Sequence, residues 1–167
     1  MENKKESWLI RKGLKGCACL PCIILSIQKN KIKNKIRGIM GYNENERVPP
    51  GQRLVQDFPV LSIGTNPNFD SEKWYFSVEG EVESPMRWNW EEFKKLPKRE
   101  QFSDFHCAVS WSKLDLHWTG VPLKTIADVV KPNSRAKYLF AISADGYTTN
   151  LSIEDALEDD VLLAYEL

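Results

Sequence analysis

The strongest candidate for a chemical role in this chain is a single cysteine, Cys107, in the stretch Asp104 to Leu123. A lone cysteine is more often a small buried hydrophobic residue than a reactive one. Two neighbours in the sequence, His106 and Lys113, could supply positive charge. Positive charge favours the thiolate, which is the form that binds a soft metal. The stretch therefore indicates a candidate metal ligand at Cys107.

Three further cysteines lie close together near the N-terminus, at Cys17, Cys19 and Cys22. Thiols at this spacing could hold zinc, copper or part of an iron–sulfur cluster. The sequence offers no fourth ligand at a matching spacing. An apolar segment without a metal is the favoured interpretation, and a metal site is the alternative.

The composition, with 42% hydrophobic and 28% charged residues, is that of a soluble globular chain of one domain. Its charge is unevenly distributed, since residues 1–47 hold 11 Lys and Arg against 4 acidic residues, and residues 48–167 hold 12 against 19. In the acidic part the basic side chains are scattered among carboxylates and form no continuous stripe for phosphates. We expect a small-molecule substrate and no nucleic acid.

The N-terminal part has an apolar run, Cys17 to Ile27, that is too short for a transmembrane helix, which needs roughly 20 residues. The basic run Lys29 to Arg37 follows it where a signal peptide would have its cleavage site. These features predict a cytoplasmic protein without stable membrane insertion. A solvated basic helix is the favoured interpretation of the basic run, and docking at a membrane surface through Ile32, Ile36 and Met40 is the alternative.

A domain boundary is indicated by the segment Gly41 to Gly51, which is polar and rich in turn-forming residues. It predicts a basic, cysteine-containing and poorly ordered extension over residues 1–46. The folded domain is then expected over residues 47–167.

Three short helices are predicted in this domain from local signals. Asn89 and Glu92 have the spacing of a capping box, and Pro97 ends that helix. Pro122 opens the second helix and Ser152 caps the third. The second helix has one apolar face, formed by Leu123, Ile126, Ala127 and Val130.

Extended segments alternate with these helices. Trp74 to Gly80 has the period of a half-buried strand, and Gln101 to Val109 also appears extended. Lys137 to Ala144 and Tyr147 to Leu151 flank an Asp-Gly turn, which predicts a hairpin. The apolar run Val161 to Leu167 predicts a core strand. The predicted fold class is α+β, with mixed or mostly antiparallel sheets and short helices.

The stretch around Cys107 resembles the cofactor loop of molybdopterin enzymes of the sulfite oxidase and methionine-sulfoxide-reductase type. In that family a Cys is followed by a Trp-Ser pair and a W-x-G-x-P-L segment, and here these are Cys107, Trp111-Ser112 and Trp118 to Leu123. Other stretches agree with the same domain in unbroken order over about 120 residues: Arg47 to Gln52, Asp57 to Gly64, Asp145 to Leu151 and the acidic segment before Val161.

This resemblance implies the sulfite oxidase molybdopterin-binding fold and a molybdenum-molybdopterin cofactor. The metal would be held by the dithiolene of the pterin, by oxo or hydroxo groups and by the Cys107 thiolate. The implied activity is oxygen-atom transfer to or from a small sulfite-like, S-oxide or N-oxide substrate. Because the sequence has no haem motif, we expect an external electron carrier.

The resemblance implies further site residues. Cofactor contacts fall at Asp57, Val60, Leu61 and Ser143, although turn formation at Asp57 and a strand hydroxyl at Ser143 are equally good interpretations. His106 is expected to orient substrate or cofactor phosphate, and a structural histidine is the alternative. Tyr147 is the remaining candidate on the substrate side, and a packing residue is the alternative interpretation.

The family pattern continues with a phosphate-binding segment beyond the last residue of this sequence, so the sequence predicts a truncated domain. A thiolate without those phosphate donors would hold the cofactor weakly. A non-catalytic remnant or interaction protein is therefore the alternative to an active enzyme.

Overall fold

The computed structural model describes the backbone of residues 7–13 and the residues 47–59, 69–144 and 146–167. Within these ranges the chain forms two β-sheets and three short helices. The strands are β1 (Ser7–Gly13), β2 (Arg53–Leu54), β3 (Tyr75–Gly80), β4 (Met86–Asn89), β5 (Arg99–Cys107), β6 (Trp111–Pro122), β7 (Tyr138–Ile142), β8 (Thr148–Ser152) and β9 (Leu162–Glu166). The helices are α1 (Trp90–Lys95), α2 (Leu123–Val130) and α3 (Ile153–Ala156). The predicted α+β class is confirmed.

The first sheet has the strand order β4-β3-β1-β7-β8 and covers the main core. Its pairs are antiparallel except for the parallel pair β1–β7. Alternation along the third strand buries Trp74, Phe76 and Val78, as the sequence predicts. Phe93 of α1 and Leu139 of β7 pack into the same core, so this sheet is held by apolar burial.

The helices of the domain begin where the sequence places them. In the capping box of α1, the Glu92 amide donates to Asn89 Oδ1 over 2.9 Å, and the Asn89 amide donates to Glu92 Oε2 over 2.8 Å. The Ser152 hydroxyl accepts from the Asp155 amide at the start of α3. Pro122 precedes α2, whose four predicted apolar residues are all buried: Leu123, Ile126, Ala127 and Val130.

The N-terminal strand differs from the predicted domain boundary. Ser7–Gly13 lies between β3 and β7 in the first sheet, so these residues of the expected extension belong to the fold. Strand pairing of this kind depends on two distant partners, which no local pattern encodes. The cysteines at 17, 19 and 22 and the basic run 29–37 lie outside the described residues.

The second sheet has the order β2-β6-β5, with β9 paired to β6. The sequence-based elements omit β6, because the Trp111–Pro122 segment mixes polar and apolar residues without a regular period. At Gly120 an added Cβ would lie 2.7 Å from the Cα of Ala164 in β9. The glycine of the W-x-G-x-P-L segment is therefore needed for the close approach of two strands.

The last strand is buried on both faces, as an apolar run predicts. Leu163 packs into the main core, whereas Leu162 and Ala164 pack with Trp118 in a second, smaller core. Among the described residues, no helix combines the length and the apolar character that crossing a bilayer requires.

Candidate functional site

Cys107 is the last residue of β5 and lies at the base of the turn that leads into β6. It pairs with Trp111 across the hairpin, and the Ser110 amide donates to the Cys107 carbonyl over 3.1 Å. Ser110 has a positive φ of 68°. The Cys107 thiol is free and half-buried. Cys107 is therefore held at the start of a tight turn.

The two faces of the hairpin carry different side chains. Adjacent residues of a strand point to opposite faces, so Cys107 shares a face with Phe105, and His106 lies on the other. Cross-strand pairing places Trp111 and Lys113 on the Cys107 face and Ser112 on the His106 face. His106, which could supply positive charge, therefore lies on the face opposite the thiol, whereas Lys113 lies on the same face as the thiol. The alternation of side chains along the predicted extended segment already indicates that His106 and Cys107 lie on opposite faces.

An aromatic cluster of Phe58, Phe105 and Trp111 forms the apolar surface beside Cys107. Phe105 stacks on Trp111 with centroids 5.3 Å apart, and Phe58 meets Trp111 edge-on at 5.7 Å. Lys113 Nζ lies 4.8 Å above the Phe58 ring. The Cys107 face thus combines a thiol, an apolar wall and one cation.

The indole N–H of Trp111 is the notable polar group in that wall. Trp111 is only 5% exposed, and its Nε1 has no hydrogen-bond partner within the part of the chain that the structure describes. Buried N–H groups almost always have an acceptor. Next to Cys107 there is therefore a buried donor whose acceptor the described protein groups do not provide.

The segment Arg47–Val55 lies against the hairpin and was not predicted to contact it. Its strand β2 runs parallel to the start of β6. The Arg53 amide donates to the Ser110 carbonyl over 3.1 Å, and the Val55 amide donates to the Ser112 carbonyl over 2.9 Å. These bonds tie the segment to the turn that follows Cys107.

Arg47 anchors the beginning of this segment through two carboxylates of the hairpin. Its Nε donates to Asp104 over 3.1 Å, and its Nη2 donates to Asp115 over 2.6 Å. Asp104 lies where the β5–β6 register is irregular, and Asp115 has a positive φ of 57°. Hydrogen bonding, first to Asp104 and then to Asp115, holds the pKa of Arg47 above its already high ordinary value.

A polar chain on the opposite face connects Gln52 to Ser112 and His106. Gln52 Nε2 lies 3.0 Å from the Cys107 carbonyl oxygen, and the Ser112 hydroxyl lies 3.1 Å from Gln52 Oε1. His106 Nδ1 lies 2.8 Å from the same hydroxyl. Ser112 is fully buried, whereas His106 is exposed. Sequence reasoning missed Gln52, because it is separated from Cys107 by 55 positions.

The other predicted site residues are distributed over the molecule. Asp57 is exposed beside Phe58, and Val60 and Leu61 lie outside the described residues. Ser143 and Tyr147 are brought together, since the Ser143 amide donates to the Tyr147 carbonyl over 2.8 Å. Both belong to the β7–β8 connection of the first sheet, whereas Cys107 belongs to the second.

The donor set around Cys107 is that of a single protein ligand. Among the described residues, no group of three or more His, Cys, Asp and Glu side chains is arranged to hold a metal ion. A metal at Cys107 would therefore take most of its ligands from a bound cofactor.

Comparisons with known proteins give one family match and several relatives. Residues 63–167 match the family model described as oxidoreductase molybdopterin binding domain. The chain is 39% identical over 124 residues to the uncharacterized oxidoreductase YuiH of Bacillus subtilis, covering 74% of this chain and 63% of that protein.

Two further relatives are named as methionine-sulfoxide reductase components. The catalytic subunit MsrP of Campylobacter jejuni is 32% identical over 72 residues, which cover 43% of this chain and 24% of the relative. The putative subunit YedZ1 of Azospira oryzae is 25% identical over 144 residues, which cover 82% of this chain and 54% of the relative. The chain thus spans less than two thirds of each of these proteins. No solved structure gives a significant match.

Proposed function

The chain belongs to the oxidoreductase molybdopterin binding domain family, and on that premise we propose that it binds the molybdenum cofactor with Cys107 as the protein ligand. The proposed reaction is oxygen-atom transfer to or from a small sulfur or nitrogen oxide. The observation that carries the proposal is the free, half-buried Cys107 thiol at a hairpin turn, with an apolar wall and Lys113 on the same face.

The residues present fit such a cofactor in two respects. A lone thiolate matches a metal whose other ligands come from an organic group, and thiolate is the soft ligand that molybdenum chemistry favours. The buried Trp111 N–H needs an acceptor, and the oxygens of a bound oxyanionic cofactor are acceptors.

When bound, the cofactor supplies a metal that changes oxidation state and carries the oxygen atom. The protein groups have separate tasks around it. The Cys107 thiolate would hold the metal, and the Trp111 N–H would be available to donate a hydrogen bond to the bound group. The aromatic cluster excludes water from one side, which strengthens the charge of Lys113 toward an anion. Gln52 and the Arg47 ion pairs hold the hairpin that carries these groups.

The substrate class is proposed from the relatives. The Campylobacter jejuni relative is named a protein-methionine-sulfoxide reductase, so an S-oxide is the substrate class that we propose first. The electrons are proposed to come from an external carrier, and the protein is proposed to be cytoplasmic.

The test compares the complete chain with its Cys107→Ser variant by molybdenum analysis and pterin fluorescence. We expect the parent to hold molybdenum and pterin, and the variant to lose the metal and at least about 100-fold in sulfoxide turnover. Circular dichroism and the thermal midpoint should be the same for the two proteins in their metal-free forms, because the half-buried thiol contributes little packing.

The matched control is Cys22→Ser, which makes the same substitution in the N-terminal cysteine group and should keep both cofactor signals. A Cys107→Ser protein that retains molybdenum and turns over like the parent would show that another residue holds the metal. Parent protein without molybdenum after expression in a cofactor-producing host would overturn the proposed function.

A further inference from the structure

The donor and the acceptor of each hydrogen bond between Gln52, Ser112 and His106 can be assigned, beginning at the Cys107 carbonyl. That carbonyl only accepts, and a Gln52 atom lies 3.0 Å from its oxygen. If the Gln52 amide were turned over, two acceptor oxygens would face each other. The Gln52 NH2 group therefore points to Cys107, and its Oε1 points to Ser112.

The next bond follows from this orientation. Gln52 Oε1 is a carbonyl oxygen, so over the 3.1 Å separation the Ser112 hydroxyl must donate. Ser112 is fully buried, and its hydroxyl has one hydrogen, which this bond uses. Toward any third group the Ser112 oxygen is left as an acceptor.

The third group is the His106 imidazole, whose Nδ1 lies 2.8 Å from the Ser112 oxygen. Because that oxygen accepts, Nδ1 must carry the hydrogen. In a neutral imidazole the other nitrogen, Nε2, is then unprotonated. This is the reverse of the Nε2–H form that free histidine prefers. A neutral His106 therefore presents a hydrogen-bond acceptor at Nε2 and cannot donate from it to a phosphate.

The same amide group also holds the backbone of Cys107. The Cys107 carbonyl receives Gln52 Nε2 from one side and the Ser110 amide from the other, at 3.0 Å and 3.1 Å. Rotation of this peptide group would move the Cys107 side chain, and the bond from Gln52 opposes it.

We propose that Gln52 is a positioning residue that fixes both the turn carrying Cys107 and the Nδ1–H form of His106. The importance of this for catalysis rests on the proposed ligation of molybdenum by Cys107. The hydrogen-bond chain itself does not, so it can be measured on the metal-free protein.

The tautomer is measured by nitrogen-15 NMR of the complete chain labelled at histidine, at about pH 8.5, where an ordinary imidazole is neutral. The chain has only two histidines, and His117→Gln assigns the signals. We expect His106 to show a protonated Nδ1 and an unprotonated Nε2. Ser112→Ala removes the acceptor and should shift His106 toward Nε2–H. A wild-type His106 in the Nε2–H form would overturn the proposal.

The hold on the turn is measured by the alkylation rate of Cys107, followed by mass spectrometry of its peptide after treatment with iodoacetamide. Gln52→Leu removes both bonds and should change the rate about fivefold, the factor that a net hydrogen bond of ~1 kcal/mol represents. An unchanged rate would contradict the proposed hold. Gln56→Leu, an exposed glutamine four positions later, is the matched control and should react like the parent.

Two polar variants separate the two tasks and keep the test valid if Gln52→Leu does not fold. Gln52→Glu keeps an acceptor for Ser112 but loses the donor to Cys107, so it should keep the His106 tautomer and change the alkylation rate. Ser112→Ala should change the His106 tautomer and leave the alkylation rate of Cys107 unchanged. If both variants change both readouts equally, Gln52 has only a general structural role. Loss of molybdenum binding in Cys107→Ser is judged separately and tests the proposed function alone.

Discussion

The two sheets of this molecule bury different kinds of side chain. Under the first sheet the buried side chains are large and apolar, and the Phe93 ring contacts both Trp74 and Phe76. The described buried polar residues, by contrast, all lie on β5 and β6 of the second sheet: Ser103, Ser112 and Thr119. The core under the first sheet is built mainly from apolar side chains, whereas the second sheet also uses buried side-chain hydrogen bonds near the turn that carries Cys107.

The two kinds of core differ in how much displacement of their side chains they tolerate. Apolar burial tolerates small shifts, because it depends mainly on the area removed from water. A buried polar group is stable only when its partner is at the correct distance and angle. Trp118 Nε1, for example, donates to the buried Ser103 hydroxyl over 2.8 Å. The second sheet is therefore the region where geometry is specified most closely.

The largest effect on stability is expected from Phe76→Ala in the main core. Phe76 is fully buried and contacts Trp88 and Phe93. Its truncation should reduce the free energy of unfolding by about 3–5 kcal/mol in urea titrations. The control is Phe102→Ala in the second sheet, where the ring is 56% exposed and a loss below about 1 kcal/mol is expected. If both variants lost the same free energy of unfolding, the apolar core under the first sheet would not be the main source of stability.

A smaller loss is expected from Gly120→Ala, where the two strands of the second sheet approach most closely. The added methyl would meet the backbone of Leu163 and Ala164 in β9, both at 2.7 Å, so the strands must separate. We expect about 1–3 kcal/mol, measured by urea unfolding. Gly51→Ala meets no atom within 4 Å and costs only its left-handed backbone, about 1 kcal/mol. A Gly120→Ala protein as stable as the parent would contradict the tight contact.

The smallest effect on stability, and the one most confined to the second sheet, is expected from Arg47→Met. Losing the hydrogen bonds to Asp104 and Asp115 should cost about 1–2 kcal/mol, since Asp115 is largely exposed. The control is Arg135→Met, which removes a side chain that is 74% exposed from its pair with Glu81 and should cost less than Arg47→Met, below about 1 kcal/mol. If the two variants unfold at the same urea concentration, Arg47 does not anchor the segment.

Much of the first sheet was predictable because its signals are local. The capping box joins residues three positions apart, and α2 repeats its apolar residues within three or four positions. The β7–β8 hairpin has its turn between adjacent strands. The strand β1 was not predicted, since it pairs with residues of β3 and β7 that are far along the chain.

The candidate site divides in the same way. Residue type and a family resemblance were enough to select Cys107, and the family is confirmed over residues 63–167. The contacts that hold it were not predictable, because Gln52 and Arg47 reach their partners across 55 and 57 positions. The pairing of His106 with Ser112 and of Cys107 with Trp111 depends on the register of β5 against β6.

The sequence by itself therefore determined the fold class and the short helices, since each depends on residue type or on neighbours within one or two turns, and its resemblance to a family selected Cys107 as the candidate ligand. Only the tertiary structure decided that Gln52 supports Cys107, that Arg47 anchors the same hairpin, and that β1 lies inside the first sheet. Hydrogen bonds are directional and short, so distant residues can make them only after apolar burial has brought the strands together.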